Sequence, residues 1–124
     1  MSATDTMPDH ELEWGWRLHG EDNAGRPIEI TIGETELSRA VTGVTVGRHS
    51  DLCDYVIDDR GISHRHFRLS RGADGLLLED VNSLNGTQLD GHKLTPFEPV
   101  VVRHGQCLTA GRIDLLVLRL TDPR

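Results

Sequence analysis

Apolar and polar residues alternate with a period of two in several short segments of this chain. Isoleucine alternates with glutamate and threonine over residues 28–32, and the same alternation recurs at 44–46 and 67–69. A period of two is typical of a strand with one buried face. Denser apolar runs predict strands that are buried more completely; they lie at residues 76–81, 100–102 and 113–120.

Turn signals separate these segments at short intervals. They are the dipeptides Asp74-Gly75, Asn85-Gly86, Asp90-Gly91 and His104-Gly105. No stretch of a dozen residues carries the period of 3.6 that a long helix requires. Many short strands with frequent turns predict an all-β fold, an antiparallel β-sandwich or a barrel, with no long helix.

The length and composition fit one folded domain with a tail. The chain has 124 residues, of which 36% are hydrophobic and 27% are charged, as in globular proteins. Residues 1–13 show no hydrophobic period and predict a flexible acidic tail. No apolar run is long enough to span a membrane, and the polar, acidic first residues do not resemble a secretory signal. We therefore expect a cytoplasmic protein without a membrane span.

The distribution of charge favours a small anionic ligand. The chain carries a formal net charge of −7, which argues against a nucleic-acid partner. Residues 48–72 are the exception, because five arginines and four aspartates give them a net charge of +1. Two cysteines, Cys53 and Cys107, match no zinc-binding spacing and predict buried free thiols in a reducing compartment.

Candidate chemistry lies in two segments. Arg48 follows the strand-like residues 44–47, where its guanidinium can face an oxyanion at the base of a loop. Ser63 comes fifteen residues later. Ser83, Asn85 and Thr87 then surround a tight Asn-Gly turn. A phosphate site requires such a charge, a small donor and a fixed backbone.

The order of these motifs is more specific than any one of them. Gly-Arg at 47–48, Ser-x-x-His at 63–66 and Ser-x-Asn-Gly-Thr at 83–87, followed by Gly91, resemble the forkhead-associated (FHA) domain. Members of that family are phosphothreonine-binding β-sandwiches of two sheets, of the SMAD/FHA type. The resemblance covers about residues 14–120 and implies a domain over 14–121, with 122–124 as a C-terminal tail.

The resemblance also implies a role for each matched residue. Arg48 and Ser63 bind the phosphate, and Asn85 holds the backbone of the bound peptide. The full set expected at the phosphopeptide is Arg48, Ser63, His64, Arg65, Ser83 and Asn85, and the set expected to shape the loops is Gly47, His66, Gly86, Thr87 and Gly91. The chain departs from the family pattern in three places: His64 replaces an Arg or Lys, Leu84 replaces a Thr that assists phosphate binding, and Gln106 replaces an Asp.

Several residues have simpler structural interpretations. Arg48 can pair with Asp51 or Asp54, and Ser63 can cap the turn after Gly61. Asn85 can serve as a residue that tolerates positive φ. Leu84 is interpreted as a packing residue, and Arg60 and Arg65 either contact acidic residues beside the phosphothreonine or are simply solvated.

Two other kinds of site are also weighed. A serine hydrolase needs a histidine beside Ser63, but a strand through 63–66 places His64 and His66 on the opposite face. That strand also puts the two histidines on one face, where His49 can approach and a metal ion can bind.

We therefore expect a phosphothreonine-dependent interaction module for signal transduction, with no enzymatic activity, metal or other cofactor. It implies an upstream serine/threonine kinase. The alternatives are an FHA-like module that binds proteins without phosphate and, less favoured, a His-based metal-binding protein. Thr6, with Asp9 three residues downstream, is a candidate phosphosite through which the chain associates with itself.

Overall fold

The computed structural model describes residues 14–73 and 75–120. Within them the chain forms two β-sheets and one short helix, α1, at Glu34–Arg39. The strands are β1 Gly15–Glu21, β2 Pro27–Gly33, β3 Val44–Gly47, β4 Tyr55–Val56, β5 Phe67–Gly72, β6 Gly75–Asp80, β7 Thr87–Leu89, β8 His92–Lys93, β9 Val100–Val102, β10 Cys107–Ala110 and β11 Ile113–Leu120. The predicted all-β sandwich of two sheets without a long helix is confirmed.

The larger sheet has six strands in the order β2-β1-β11-β10-β7-β8. All its pairs are antiparallel, and β1 lies between β2 and β11 with Gly15 opposite both Gly33 and Leu120. A left-handed backbone at Asp90 and Gly91, with φ of 49° and 83°, turns β7 into β8. The predicted Asp90-Gly91 turn is therefore a tight hairpin.

The smaller sheet has five strands in the order β4-β3-β5-β6-β9. Its β3 and β4 run parallel, with Val46 opposite Tyr55. The expectation of a wholly antiparallel sandwich is wrong at this pair, because the chain makes a loop of seven residues, 48–54, before β4 and re-enters the sheet in the same direction. That loop places Arg48 at the end of the sandwich.

The core lies between the two sheets and consists mainly of Leu, Ile and Val. Over the first five residues of β11, buried and exposed side chains alternate, and Leu116 is 41% exposed. We expected from their composition that the dense apolar runs would be buried on both faces. This expectation is wrong, because one face of β11 is exposed. A two-layer sandwich leaves one face of each sheet in contact with solvent. The composition of a strand does not show which of its leucines lie on that solvent-exposed face.

The short helix was not predicted, because six residues are too few to show a helical period. Asp74, part of one predicted turn, lies outside the described residues, as do the predicted tails at 1–13 and 122–124. In the part of the chain that the structure describes, no helix is long and apolar enough to cross a membrane.

The loops after β3, after β4 and after β6 meet at one end of the sandwich. Arg48 N–H donates to the carbonyl of Ser63 at 2.9 Å, and Leu84 N–H donates to Ser63 Oγ at 2.9 Å. These two bonds join the three loops, which carry Arg48, Ser63 and Asn85.

Candidate anion-binding site

A cavity of about 380 Å³ opens between these three loops. Of the six residues predicted at the phosphopeptide, five line it: Arg48, Ser63, His64, Arg65 and Asn85. Arg60, Gly61, Ile62, Val81 and Leu84 complete the lining, and none of these described residues is acidic. Three arginines therefore line this cavity, although the chain as a whole is acidic.

Gly47 fixes the position of Arg48. A Cβ atom at Gly47 would lie 2.3 Å from the backbone oxygen of His64, so any larger residue would push the β3 end away from the loop after β4. Within the described residues, no carboxylate lies at ion-pair distance from Arg48, and Asp54 instead accepts the N–H of Thr45 at 2.8 Å. The alternative of a pair with Asp51 or Asp54 is therefore wrong, and the guanidinium remains available to a ligand.

Ser63 offers a hydroxyl donor beside that guanidinium. Its Oγ accepts the N–H of Leu84, as given above, and no acceptor for the hydroxyl hydrogen lies among the described residues. That hydrogen is available to an oxyanion. Because the Oγ already accepts a bond, the side chain is held in place at the junction of two loops.

His66 holds the loops together from beneath. Its Nδ1 accepts the N–H of Ser63 at 3.1 Å, so its Nε2 carries the hydrogen and donates to Gly86 O at 2.8 Å. The ring is fully buried, and this burial lowers the pKa of His66 below its usual value. Neither ring nitrogen bonds the Ser63 hydroxyl, so the two residues do not form a nucleophile–base pair.

The strand predicted through residues 63–66 is not present. β5 begins only at Phe67, so His64 and His66 do not share a strand face: His66 is buried and His64 is exposed. His64 instead packs edge-on against His49, with ring centroids 5.4 Å apart. Within the described residues, no group of three His, Cys, Asp or Glu side chains could hold a metal ion.

Asn85 ties the Asn-Gly turn to the loop after β4. Its Nδ2 donates to the carbonyl of Gly61 at 3.0 Å, and among the described residues its Oδ1 and second N–H have no partner. The left-handed backbone of this loop falls on Asn82 and Gly86, with φ of 67° and 85°. The interpretation of Asn85 as a positive-φ residue is therefore wrong. Its contribution to the loop is the hydrogen bond from its side chain to Gly61.

Ser83 lies behind the cavity and is not among its lining residues. Its Oγ donates to Asp80 Oδ1 at 2.5 Å and accepts the N–H of Gly86 at 3.0 Å. Its single hydroxyl hydrogen is thus already used inside the loop. Ser83 is separated in this way from the five predicted residues that face the cavity.

Asp80 is the residue that sequence reasoning missed. It is 2% exposed, and its carboxylate accepts four hydrogen bonds, from the N–H groups of Asn82 and Ser83 and from the hydroxyls of Ser83 and Thr87. A buried carboxylate is stable only with such partners. The spacing of Asp80, Ser83 and Thr87 over one turn was the available signal.

From the sequence we interpreted Leu84 as a packing residue, and this interpretation is wrong. Its side chain is 88% exposed at the lip of the cavity. Its backbone N–H donates to Ser63 Oγ, while its exposed side chain lines the mouth of the cavity. An apolar residue therefore stands where the family pattern has a hydroxyl donor.

The arrangement suits a small dianion. Three arginines, Arg48, Arg60 and Arg65, line the cavity, and none of them has an acidic partner within the described part of the chain. Guanidinium groups and a hydroxyl bind phosphate oxygens through charge-assisted hydrogen bonds. The cysteines lie outside this chemistry: both are free and half-buried, and the thiol of Cys53 donates to His64 O at 2.9 Å.

The sequence model described as FHA domain matches residues 44–111. The fold is similar to the FHA domain of an Arabidopsis thaliana protein, at 23% identity and a TM-score of 0.72 over 100% of this chain and 98% of that one. It is also similar to the N-terminal FHA domain of Rad53p from S. cerevisiae, determined with a phosphothreonine peptide, at 24% identity and a TM-score of 0.67 over 85% and 93% of the two chains.

A third similar structure is the FHA domain of MEK1 in complex with a HOP1 phosphothreonine peptide. It is 26% identical, with a TM-score of 0.57 over 82% of this chain and 95% of that one. No curated protein sequence matches the chain.

Proposed function

Because this chain belongs to the FHA domain family, we propose that its anion site binds phosphothreonine in a segment of a partner protein. FHA domains are interaction modules, and relatives of this chain bind phosphothreonine peptides. One observation carries the proposal: Arg48, Ser63 and Asn85 line one cavity, and within the described residues the first two have groups that no acceptor uses.

Phosphothreonine brings a charge of about −1.5 to −2 and three acceptor oxygens. In the proposed complex, Arg48 donates to two of these oxygens and the Ser63 hydroxyl donates to a third. Each charge-assisted bond contributes about 1.5–3 kcal/mol, and ordering the peptide offsets part of the sum. We therefore expect affinity in the micromolar range, which permits the rapid release that signalling needs.

Other residues take the roles that their contacts suggest. Asn85 holds the peptide backbone, and His64, Arg60 and Arg65 contact the residues beside the phosphothreonine. Ser83 acts as a positioning residue, because its hydroxyl hydrogen is donated to Asp80. The residues that shape the loops are Gly47, His66, Gly86, Thr87 and Gly91. We take 14–121 as the binding unit.

The direct test is a fluorescence polarisation screen of a phosphothreonine peptide library, with an unphosphorylated copy of every peptide. The proposal expects binding to the phosphorylated members only. A phosphoserine copy of each hit measures the contribution of the threonine methyl group. Equal binding of phosphorylated and unphosphorylated copies would support the phosphate-independent module instead.

A phosphothreonine ligand requires a serine/threonine kinase and ATP, and we therefore propose that the interaction takes place in the cytoplasm. We also propose that phosphorylated Thr6 is one ligand, bound by a second copy of the chain. Thr6 lies outside the described residues, but the strand that follows begins at Gly15, and Asn23, just beyond the other end of this strand, bonds Asp59 in the loop before Ser63. β1 therefore starts at the end of the sandwich away from the site.

The eight residue steps from Thr6 to Trp14 span at most about 26–29 Å when extended, while β1 alone spans about 23 Å at 3.3 Å per residue. Binding within one chain is thus at the limit of reach, and pairing of two chains is favoured. Chemical phosphorylation of Thr6 should double the mass in solution and block an external phosphopeptide. A modified chain that stays monomeric and binds that peptide unchanged would exclude this self-association.

A further inference from the structure

Phe97 stands in a backbone conformation that disfavours a bulky residue. Its φ is +65°, in the left-handed region that costs an L-residue about 1–2 kcal/mol. The N–H of Glu98 donates to Thr95 O at 3.2 Å, which closes a turn with Pro96 and Phe97 in its centre. Proline followed by a residue of positive φ is the pattern of a type II turn, where glycine or asparagine is preferred at the second position.

The ring of Phe97 does not repay this cost inside the core. Its side chain is 58% exposed, and its N–H donates to the carbonyl of Asp80 at 2.8 Å, a bond that any residue except proline could make. Strained backbone that persists at an exposed site points to a functional use of the side chain.

A second cavity, of about 240 Å³, shows what that use can be. Thr45, Arg65, Arg68, Val81 and Phe97 line it. Arg65 and Val81 line the anion cavity as well, so the two cavities share a wall. A peptide that leaves the anion cavity across Arg65 therefore enters the second cavity directly.

The second cavity differs in character from the first. Arg68 is already paired with Glu79 at 3.0 Å, so its charge does not call for an anion. The ring of Phe97 and the side chain of Val81 are apolar, and the stems of the two arginines add further apolar surface. The fitting occupant is an aliphatic or aromatic side chain.

We propose that this second cavity receives an apolar side chain of the same phosphothreonine segment that occupies the anion cavity, and that Phe97 selects it. The inference rests on the proposed function and adds the class of partner: a phosphothreonine with a large apolar residue on one side. Phosphate supplies the switch, and the apolar residue supplies the discrimination between phosphorylated partners.

The test is a set of phosphothreonine peptides in a serine-rich background, in which one leucine is moved through each flanking position in turn. Full-length wild type should bind the best leucine peptide about tenfold more tightly than the all-serine peptide, because burying much of a leucine side chain changes an equilibrium by about that factor. Phe97→Asn should reduce this preference to less than about twofold and leave binding of the all-serine peptide unchanged. Phe97→Leu should retain part of it.

Thermal melting distinguishes a ligand-selecting ring from a structural one. Phe97→Asn and Phe97→Gly should melt at or above the wild-type temperature, since both residues tolerate positive φ. A lower melting temperature for both, or a wild type without any leucine preference, would overturn the inference. Unphosphorylated copies and Arg48→Ala test the proposed function separately. If binding depends on phosphate but Phe97→Asn keeps the full leucine preference, only the inference about Phe97 fails. If wild type binds no phosphorylated copy preferentially, the proposed function and the inference both fail.

Discussion

His66 donates its Nε2–H to the carbonyl of Gly86 at 2.8 Å and thereby joins two loops of the anion site. Its other ring nitrogen accepts the N–H of Ser63. A neutral imidazole satisfies both bonds, with one donor and one acceptor. An imidazolium has no acceptor, so protonation would lose the bond to Ser63.

The first prediction is that falling pH weakens this junction. Burial lowers the pKa of His66 in the folded protein, while in the unfolded chain it is about 6.5. The resulting stability is complete above about pH 6.5 and is lost as the pH falls through that value toward the lower folded pKa. Each unit of difference between the two pKa values is worth about 1.4 kcal/mol.

Urea unfolding of wild type and His66→Gln between about pH 8 and pH 5 measures this contribution as the change in their difference. The difference in unfolding free energy between wild type and His66→Gln should become smaller as the pH falls toward about 5. An NMR titration gives an independent check, since the His66 ring should remain neutral at a pH where a model histidine is half protonated. A His66 midpoint at or above 6.5 would contradict the assignment.

The second prediction concerns Arg48. Arg48→Ala should weaken phosphopeptide binding by about 2–5 kcal/mol, because a desolvated phosphate loses its charge partner. The melting temperature should barely change, since within the described residues the guanidinium has no ion-pair partner to lose. Isothermal titration calorimetry measures the affinity.

Arg39→Ala is the matched control for Arg48→Ala. Arg39 is an exposed arginine on α1, near the end of the sandwich away from the cavity. The Arg39→Ala substitution removes the same charge from the chain as Arg48→Ala, so a general electrostatic effect on binding would appear in both variants. Equal losses in the two would remove Arg48 from the site.

The third prediction separates the role of Asp80 from that of an ordinary surface carboxylate. Asp80→Asn should lower the free energy of unfolding by about 2–4 kcal/mol, because the amide nitrogen faces hydrogen-bond donors in a buried position. Phosphopeptide binding should weaken as well, although Asp80 does not line the cavity. Urea denaturation and calorimetry measure the two effects.

Asp114→Asn provides the comparison for Asp80→Asn. Asp114 also accepts a threonine hydroxyl, that of Thr109 at 2.7 Å, but it is exposed. Its substitution should cost less than about 1 kcal/mol. Similar costs for the two variants would show that burial of Asp80 does not set its contribution.

The sequence predicted the parts of this fold that local patterns encode. The alternation over 28–32 and 67–69 lies in β2 and β5, and the run at 113–120 has the same bounds as β11. The tight turns were predictable because glycine is the residue that most readily adopts positive φ, and Gly86 and Gly91 do adopt it. The site was predictable chiefly through the order of three motifs, since five of their expected contact residues line one cavity.

Other features depend on contacts between distant segments. The spacing of Asp80, Ser83 and Thr87 indicates that these side chains can bond one another, but it does not show that Asp80 is buried. Gln106 appeared only as a departure from the family pattern, yet its Nε2 donates to Asp90 at 3.0 Å and its Oε1 accepts the N–H of Arg103 at 2.7 Å. It thus holds the turn before β10. The orientation of Leu84 was also hidden, because an exposed and a buried leucine look alike in a sequence.

The last prediction follows from that orientation. Leu84→Thr should strengthen phosphopeptide binding about tenfold, since a new hydroxyl at the lip of the cavity can donate one charge-assisted bond to the phosphate. Stability should be nearly unchanged, because the leucine is 88% exposed and its N–H still donates to Ser63. Val41→Thr, at a residue 99% exposed and outside the cavity lining, also replaces an exposed apolar residue with threonine and should leave affinity unaltered. Calorimetry on both variants decides: unchanged or weaker binding in Leu84→Thr would mean that the bound phosphate lies beyond reach of this residue, deeper in the cavity toward Arg48.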